Sequence, residues 1–421
     1  MRVALIGPVP PRLGGHTPGG VATHQVHLAH GLAAAGVEAA LLATNTAVCP
    51  DAWRSAADSG GLRIFSMVAP LRLNRSTVSA LGGYRPLGRY LVEVARMRHL
   101  GSRREVLRNV LGYRRFLDEV RPQLMHVQHP LERCEYARTV RRVEGWRMPL
   151  VVTAHSLFGE HDEATIRGLM APNLRAADLV IGVSEHIAEQ VAELGVDPSR
   201  VRVIRSGVDT ARFRPVDCDQ RTAARKRLGL PMDTPIVLFV GNLEPRKQVD
   251  VLLRAMLQVR DTVANTELLV AGSGESAGAQ DQTARLVHLR DELGLTETVR
   301  FAGRLGEDRL LDAYAAADVF ALPSSSEAQG IVALEAMACG LPVVASAVGG
   351  LLGTIEDQQT GLLVASGDVE GLAVGLKALL SDPARRLRMG EAARRAVETR
   401  FTWSHAVAAT REVYREVLQC Q

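Results

Sequence analysis

Val319-Phe320-Ala321-Leu322-Pro323-Ser324-Ser325-Ser326-Glu327-Ala328-Gln329-Gly330-Ile331-Val332-Ala333-Leu334-Glu335-Ala336-Met337-Ala338-Cys339-Gly340-Leu341-Pro342-Val343-Val344-Ala345 is the stretch that decides the fold. It opens with four apolar residues, a run of strand length. A loop of Pro and Ser follows, then Gly330, then an apolar-rich stretch of helix length over 331–339. Gly340 and Pro342 end that helix, and 343–345 is the next strand. Strand, loop, helix and strand in this order build a parallel sheet covered on both faces.

The alternation extends outward from there. Strands are predicted at 236–240, 268–271, 299–301, 319–322, 343–345 and 361–364. Helices fall between them at 248–259, 279–293, 308–316, 331–339 and 369–380. An earlier series has strands at 3–6, 39–43, 124–127, 150–154, 179–183 and 201–204. Its helices are 21–35, 85–100 and 102–120, the last opened by Ser102-x-x-Glu105, a capping box. Residues 209–233, polar and charged with prolines at Pro215 and Pro231 and a third just beyond at Pro235, read as a linker. The tail 383–421 reads as helix interrupted at Phe401 and Trp403. Two such series mean two doubly wound α/β domains, 1–208 and 209–382, followed by C-terminal helices, 383–421.

Composition agrees. At 421 residues, 47% apolar and 23% charged, the chain has material for two or three cores. It has no run of 18 apolar residues for a membrane span, and the first apolar run is too short for a signal peptide. Five scattered cysteines (Cys49, Cys134, Cys218, Cys339, Cys420) offer no CxxC pair and suit reduced thiols in a cytoplasm. The net charge of +4 is uneven. Residues 63–147 hold 18 Arg, no Lys and 7 acids, or +11, so the rest of the chain is acidic. A basic field of this kind draws phosphates, an anionic membrane or an acidic acceptor, or simply solvates helix faces. Lys occurs three times, at Lys226, Lys247 and Lys377, against 47 Arg. A Lys inside a motif therefore invites a reason.

Ligands of open parallel sheets sit beyond the carboxyl ends of the strands. Pro18-Gly19-Gly20 follows the first strand and precedes a helix, whose free N–H groups suit a phosphate. His155 follows 150–154. Gly241-Asn242-Leu243-Glu244-Pro245-Arg246-Lys247 follows 236–240, and Gly272-Ser273-Gly274 follows 268–271. Glu327, Gly330 and Glu335 follow 319–322. Each feature alone has an ordinary reading: a tight turn, a core histidine, a solvated lysine. Together they line the same edge of both sheets and suit a nucleoside-diphosphate ligand. Glu327 and Glu335 are eight steps apart, about 12 Å if the span were helical. Carboxylates that flank one glycosidic bond in a retaining hydrolase are only about 5 Å apart. These two therefore bind different parts of an extended ligand or have separate tasks.

These residues resemble the retaining GT-B glycosyltransferases of family 4. The matching segments are Pro18-Gly19-Gly20-Val21-x-x-His24, Val151-Val152-Thr153-Ala154-His155 and Ala177-Asp178-x-Val180-Ile181-x-Val183-Ser184. Val203-Ile204-x-x-Gly207-Val208-Asp209 with Phe213-x-Pro215, and Val240-Gly241-x-Leu243-Glu244-x-x-Lys247, match as well. The most specific is the E-x7-E element from Pro323 to Val344. The resemblance implies two Rossmann-like domains facing a central cleft, with the C-terminal helices crossing back to the first. It implies hexosyl transfer from a UDP- or GDP-sugar, with retention, to a small-molecule or lipid-phosphate acceptor held on the first domain. His155, Lys247 and Glu327 would serve the reacting centre. The donor would be held by Gly19, Gly20, Asn242, Lys247, Glu327, Gly330, Ile331, Val332 and Glu335, with Arg304 and Leu305 at the base. Glu335 would take both ribose hydroxyls. Three positions depart from the usual pattern: Asn242 replaces an Arg, Ala328-Gln329 replaces Gly-Phe, and Arg205-Ser206 replaces Pro-Asn.

No metal or other cofactor is expected, because cations and amides can carry the diphosphate. Asp217-Cys218-Asp219 has the D-x-D form of a metal motif but lies in the linker. His24, His27 and His30, and His126 with His129, lack the mixed ligand set usual for zinc. A nucleotide-sugar epimerase or hydrolase, or an inactive scaffold, is the competing reading. A dinucleotide dehydrogenase fails, since no Gly-x-Gly-x-x-Gly follows the first strand. No nucleic-acid partner is expected. The basic stretch 63–147 suits peripheral contact with an anionic membrane at its inner face.

Overall fold

The computed structural model describes residues 1–10, 20–44, 56–57, 62–66, 84–97, 102–263, 265–274 and 282–420. The chain divides into two compact units, Met1–Arg205 with Trp403–Gln421, and Ser206–Thr402.

The first unit is built on an eight-stranded sheet. Its spatial order is Ala56–Ala57, Arg63–Ser66, Glu38–Ala43, Arg2–Gly7, Leu124–Gln128, Leu150–Ala154, Leu179–Gly182 and Val201–Val203. All neighbours run parallel except the outermost pair, Ala56–Ala57 with Arg63–Ser66. Six strands were legible as apolar runs. The other two were not, because they are too short to read as runs: Ala56–Ala57 is two residues long, and Arg63–Ser66 has only Ile64 and Phe65 between polar ends. The inner strands Leu124–Gln128 and Leu150–Ala154 are buried along their whole length, as a sheet covered on both faces requires.

The second unit is a six-stranded, all-parallel sheet in the order Val299–Gly303, Glu267–Ala271, Ile236–Val240, Val319–Leu322, Val343–Ser346 and Gly361–Val364. Its core is one continuous cluster around Leu238, Phe239, Val270, Phe320, Val344 and Leu376. Both sheets thus have the doubly wound, Rossmann-like form that the alternation predicts.

Two expectations are corrected. Residues 209–233 are not a bare linker, since they contain the helix Cys218–Leu228. Asp217 and Gln220 cap it reciprocally, and Gly229 ends it in a left-handed conformation. The apparent D-x-D motif is therefore a helix cap. The buried Arg225 anchors this helix to Asp318 and to the carbonyls of Ala316, Pro231 and Met232.

The tail 383–421 does not go over to the first unit as a whole. The helix Pro383–Arg400 stays with the second unit, burying Met389, Ala393 and Val397. Gly390 allows it to approach the Gly340 carbonyl, which a Cβ would meet at 2.0 Å. Only the helix Trp403–Gln419 packs on the first unit, through Ala406, Val407, Val413, Tyr414 and Val417. It crosses the helix Gly20–Ala34 at Gly31, where a Cβ would lie 2.4 Å from Val407 Cγ2.

Candidate functional site

In the second unit the special residues collect at the carboxyl ends of the strands, as the sheet geometry demands. Ile236–Val240 runs into Gly241, Asn242 and a 3₁₀ turn, Pro245–Lys247. This loop is fixed to its neighbours. Gly241 N–H donates to Ala271 O at 3.0 Å, and Leu243 N–H to Ser273 O at 3.0 Å. Gly272 has to be glycine, since a Cβ there would lie 1.8 Å from the Gly241 carbonyl oxygen. Gly272 N–H in turn donates to Gly303 O at 2.8 Å, so three strand ends are laced together. The next residues, Arg304 and Leu305, lie at this edge, exposed and half-buried respectively.

Lys247 is buried, and its Nζ pairs with Glu327 Oε1. Ser324 Oγ donates to the same carboxylate oxygen at 2.9 Å. A buried ion pair is expensive to assemble and is weak evidence of stability alone. This one lies in loops beyond the strand ends, where ligands of such sheets bind. Asn242, which stands where the family pattern has Arg, is exposed and donates to Glu244 Oε1 at 3.4 Å. Arg246 Nε donates to Glu244 Oε2 at 2.7 Å.

Gly330 caps the helix Ile331–Ala338 with φ of 82°, and no described side chain caps that end. A Cβ at Gly330 would lie 2.4 Å from Leu351 Cδ2, so both backbone and packing call for glycine. The Ile331 and Val332 amides start the helix, where the dipole favours an anion. One turn on, Glu335 is half-buried, and Tyr314 Oη donates to its Oε2 at 2.8 Å. Burial pushes the Glu335 carboxyl up to about 7, against the opposite pulls of Tyr314 and Arg212. Glu327 and Glu335 thus stand apart with different partners, as their spacing predicts.

The loop between the two glutamates is tied down by Gln329. Its Oε1 accepts from Ser206 N–H at 2.8 Å, and its Nε2 donates to Ser206 O at 2.9 Å. Thr354 Oγ1 donates to Gln329 O at 3.1 Å, and Gly350 N–H to Glu327 O at 2.8 Å. Two of the three departures from the family pattern, at 328–329 and 205–206, therefore meet in one pair of hydrogen bonds.

In the first unit the same strand edge carries a cluster of buried histidines. His155 Nε2 lies 2.8 Å from Gln128 Oε1, an acceptor, so the proton sits on Nε2 and Nδ1 keeps its lone pair. Gln128 Nε2 faces His126 Nε2 at 3.3 Å. His126 also meets Thr153 Oγ1 at 2.7 Å and, through Nδ1, Tyr414 Oη of the C-terminal helix at 2.6 Å. His129 lies 3.1 Å from Ser156 Oγ, which is 3.3 Å from His161.

His24 crosses His155 edge-on at 4.6 Å, and His27 stacks on Trp403 at 5.0 Å. Burial, with cationic or histidine neighbours, lowers His24, His126 and His129 to about 3. The same causes hold His155 well below the usual imidazole value. These rings are neutral hydrogen-bonding groups at physiological pH. Gly20 opens the helix Gly20–Ala34 and is exposed. Gly19 lies outside the described residues.

Gln128, Tyr314, Ser324 and Gln329 were not legible as site residues. Gln128, Tyr314 and Gln329 act through partners distant in sequence, and no local spacing marks such a pair; Ser324 lies three residues before Glu327, but serine in a Pro-Ser loop is read first as turn chemistry.

Comparison with known proteins agrees with this geometry. Residues 18–212 match the family described as Glycosyltransferase Family 4, and residues 220–396 match Glycosyl transferases group 1. D-inositol 3-phosphate glycosyltransferase 2 of Catenulispora acidiphila is 39% identical over 292 residues, covering 66% of this chain and 67% of the relative. D-inositol 3-phosphate glycosyltransferase of Salinispora arenicola is 40% identical over 292 residues, 65% of each chain. The chain thus spans about two thirds of the length of these curated relatives. Among solved structures, sucrose-phosphate synthase from Thermosynechococcus elongatus superposes over 100% of both chains, with a TM-score of 0.78 and 26% identity. With two Rossmann-like domains, an E-x7-E element in place at a strand edge and both halves matched, the chain belongs to the family 4, group 1 glycosyltransferases.

Proposed function

We propose that the protein transfers a hexosyl group from a nucleoside-diphosphate sugar, UDP- or GDP-linked, to a small phosphorylated polyol, with retention at the anomeric carbon. The observation that carries the donor half is the buried Lys247–Glu327 pair beside the uncapped helix that bears Glu335. Without donor, Lys247 and Glu327 satisfy each other. With donor, Lys247 turns to the diphosphate as a point charge. Glu327 is then released to accept from sugar hydroxyls. The Ile331 and Val332 amides add donors toward the departing phosphates. Glu335 takes the ribose, Arg304 and Leu305 flank the base, and Asn242 contributes a neutral contact. His155, fixed by Gln128, offers a neutral imidazole to the sugar.

The acceptor hydroxyl attacks the anomeric carbon on the face the diphosphate leaves. The new C–O bond forms as the old one breaks, and the hydroxyl proton goes to the departing diphosphate oxygen. No metal enters this scheme.

The acceptor half rests on charge and likeness. Residues 63–147 carry +11. The relatives named above act on D-inositol 3-phosphate, and the superposed enzyme is named for a sugar phosphate. A lipid-phosphate acceptor is the second reading. On the helix Tyr84–Arg96, Leu91 and Val92 are about half exposed beside Arg89 and Arg96. Such a face suits an anionic bilayer. No described helix is long and apolar enough to cross a membrane.

Nucleotide release tests both halves. UDP- and GDP-sugars are incubated alone, with inositol phosphates, with free inositol, and with vesicles containing a polyprenyl phosphate. The expected result is release that depends on the phosphorylated polyol. Equal release without acceptor points to an epimerase or hydrolase. Release with the lipid alone moves the acceptor to the membrane.

A further inference from the structure

Tyr314 is fully buried, yet its hydroxyl is spent on one residue of the site. It sits on the helix Glu307–Ala316, outside every motif read from the sequence. Its ring lies between Phe213, at 5.7 Å and near perpendicular, and Phe320, at 6.0 Å. These contacts leave the ring little freedom, and they fix where its oxygen points. That oxygen is 2.8 Å from Glu335 Oε2 and 3.4 Å from Val332 O. With one proton to give, the hydroxyl serves the nearer, charged partner.

We infer that Tyr314 is a positioning residue that orients the Glu335 carboxylate for the vicinal hydroxyls of the donor ribose. The inference rests on the reading of Glu335 as the ribose ligand. Two neighbouring hydroxyls need two acceptor lone pairs at fixed separation and in one plane. A carboxylate on a rotatable side chain offers that geometry only part of the time. The Tyr314 bond takes one lone pair of Oε2 and sets the plane. Oε1 and the second lone pair of Oε2 remain for the diol. Burial and the adjacent carboxylate also keep Tyr314 protonated well above its usual range, so it stays a donor across working pH. Phe213 stands ahead of the helix Cys218–Leu228 and Phe320 lies in a central strand, so the orientation is set by core packing and not by the loop.

The test is a cycle between the variant and the ligand. Affinities are measured by calorimetry for the nucleoside diphosphate that the wild type binds and for its 2′,3′-dideoxy counterpart. The proteins are wild type, Tyr314→Phe and Glu335→Ala. Tyr314→Phe keeps the ring and its packing. The ratio of the two affinities is taken within each protein, so a general loss of stability cancels. Tyr314→Phe should weaken the ribonucleotide by about 5- to 20-fold, as the loss of a bond to a charged group implies, and leave the dideoxy ligand nearly unchanged. If Tyr314→Phe lowers both affinities equally, or neither, while Glu335→Ala abolishes the preference for ribose, the positioning role is overturned and the reading of Glu335 stands. If Glu335→Ala keeps the preference, the reading of Glu335 fails and this inference falls with it.

Discussion

Lys247 and Glu335 show how far single residues could be read. Lys247 stood out as one of three lysines against 47 arginines, and it is buried against Glu327. The two glutamates were legible from spacing. The partner of Glu335 was not: Tyr314 comes from a preceding helix that only the folded unit brings near, whereas Ser324 lies in the same loop as Glu327, three residues before it. If Lys247 serves the leaving group as proposed, Lys247→Ala should lower kcat/KM by about 10²-fold or more, with far-UV dichroism unchanged. Wild-type rates in that variant would remove Lys247 from the donor site.

Glu335 gives a pH prediction. In the proposed role it binds hydroxyls as a carboxylate, and burial raises its pKa to about 7 with Arg212, Tyr314 and Cys339 as the groups facing it. Below that pH it carries a proton that must leave before the ribose binds. Nucleotide affinity should therefore rise with pH through about 7 and level off above about 8, by up to tenfold per unit on the acid side. Glu335→Gln should flatten that part of the profile. The diphosphate's own titration survives in both proteins, and so separates from it.

At the scale of elements, apolar runs found the strands that lie inside the sheets. They failed where a strand is short, at Ala56–Ala57 and Arg63–Ser66, and where a helix is polar, at Cys218–Leu228. That helix exists because Asp217, Gln220 and Gly229 cap it and because Arg225 is held from the core side. Periodicity carries neither signal. The loop from Glu327 to Gly330 was legible as a site, but its anchor was not. Gln329 satisfies both backbone groups of Ser206. Gln329→Ala leaves a buried N–H and a buried C=O without that partner, at about 1–3 kcal/mol each. Chemical denaturation should show a loss of about 2–6 kcal/mol, and donor KM should rise as the loop loosens. An unchanged denaturation midpoint would show that the pair does not hold the loop.

For the whole molecule, the division into two doubly wound domains followed from alternation alone. The return of the last helix to the first unit came from the family resemblance. What alternation missed is that the two C-terminal helices part company at Thr402. The Pro383–Arg400 helix closes on the second core, and Trp403–Gln419 supplies Tyr414 to the histidine network of the first. Charge is the other whole-molecule property. A +11 segment that draws a phosphorylated acceptor should do so less well in salt. The acceptor KM should rise several-fold between about 50 and 500 mM NaCl, with kcat little changed. A KM indifferent to salt would remove electrostatic capture from the account.

The most direct test of the account is time-resolved proton NMR of an α-linked nucleotide hexose with an inositol phosphate. The account predicts one nucleoside diphosphate released per acceptor consumed, and a product that keeps the α configuration from its first appearance. A β-linked product, or free sugar accumulating at the same rate without acceptor, would contradict it.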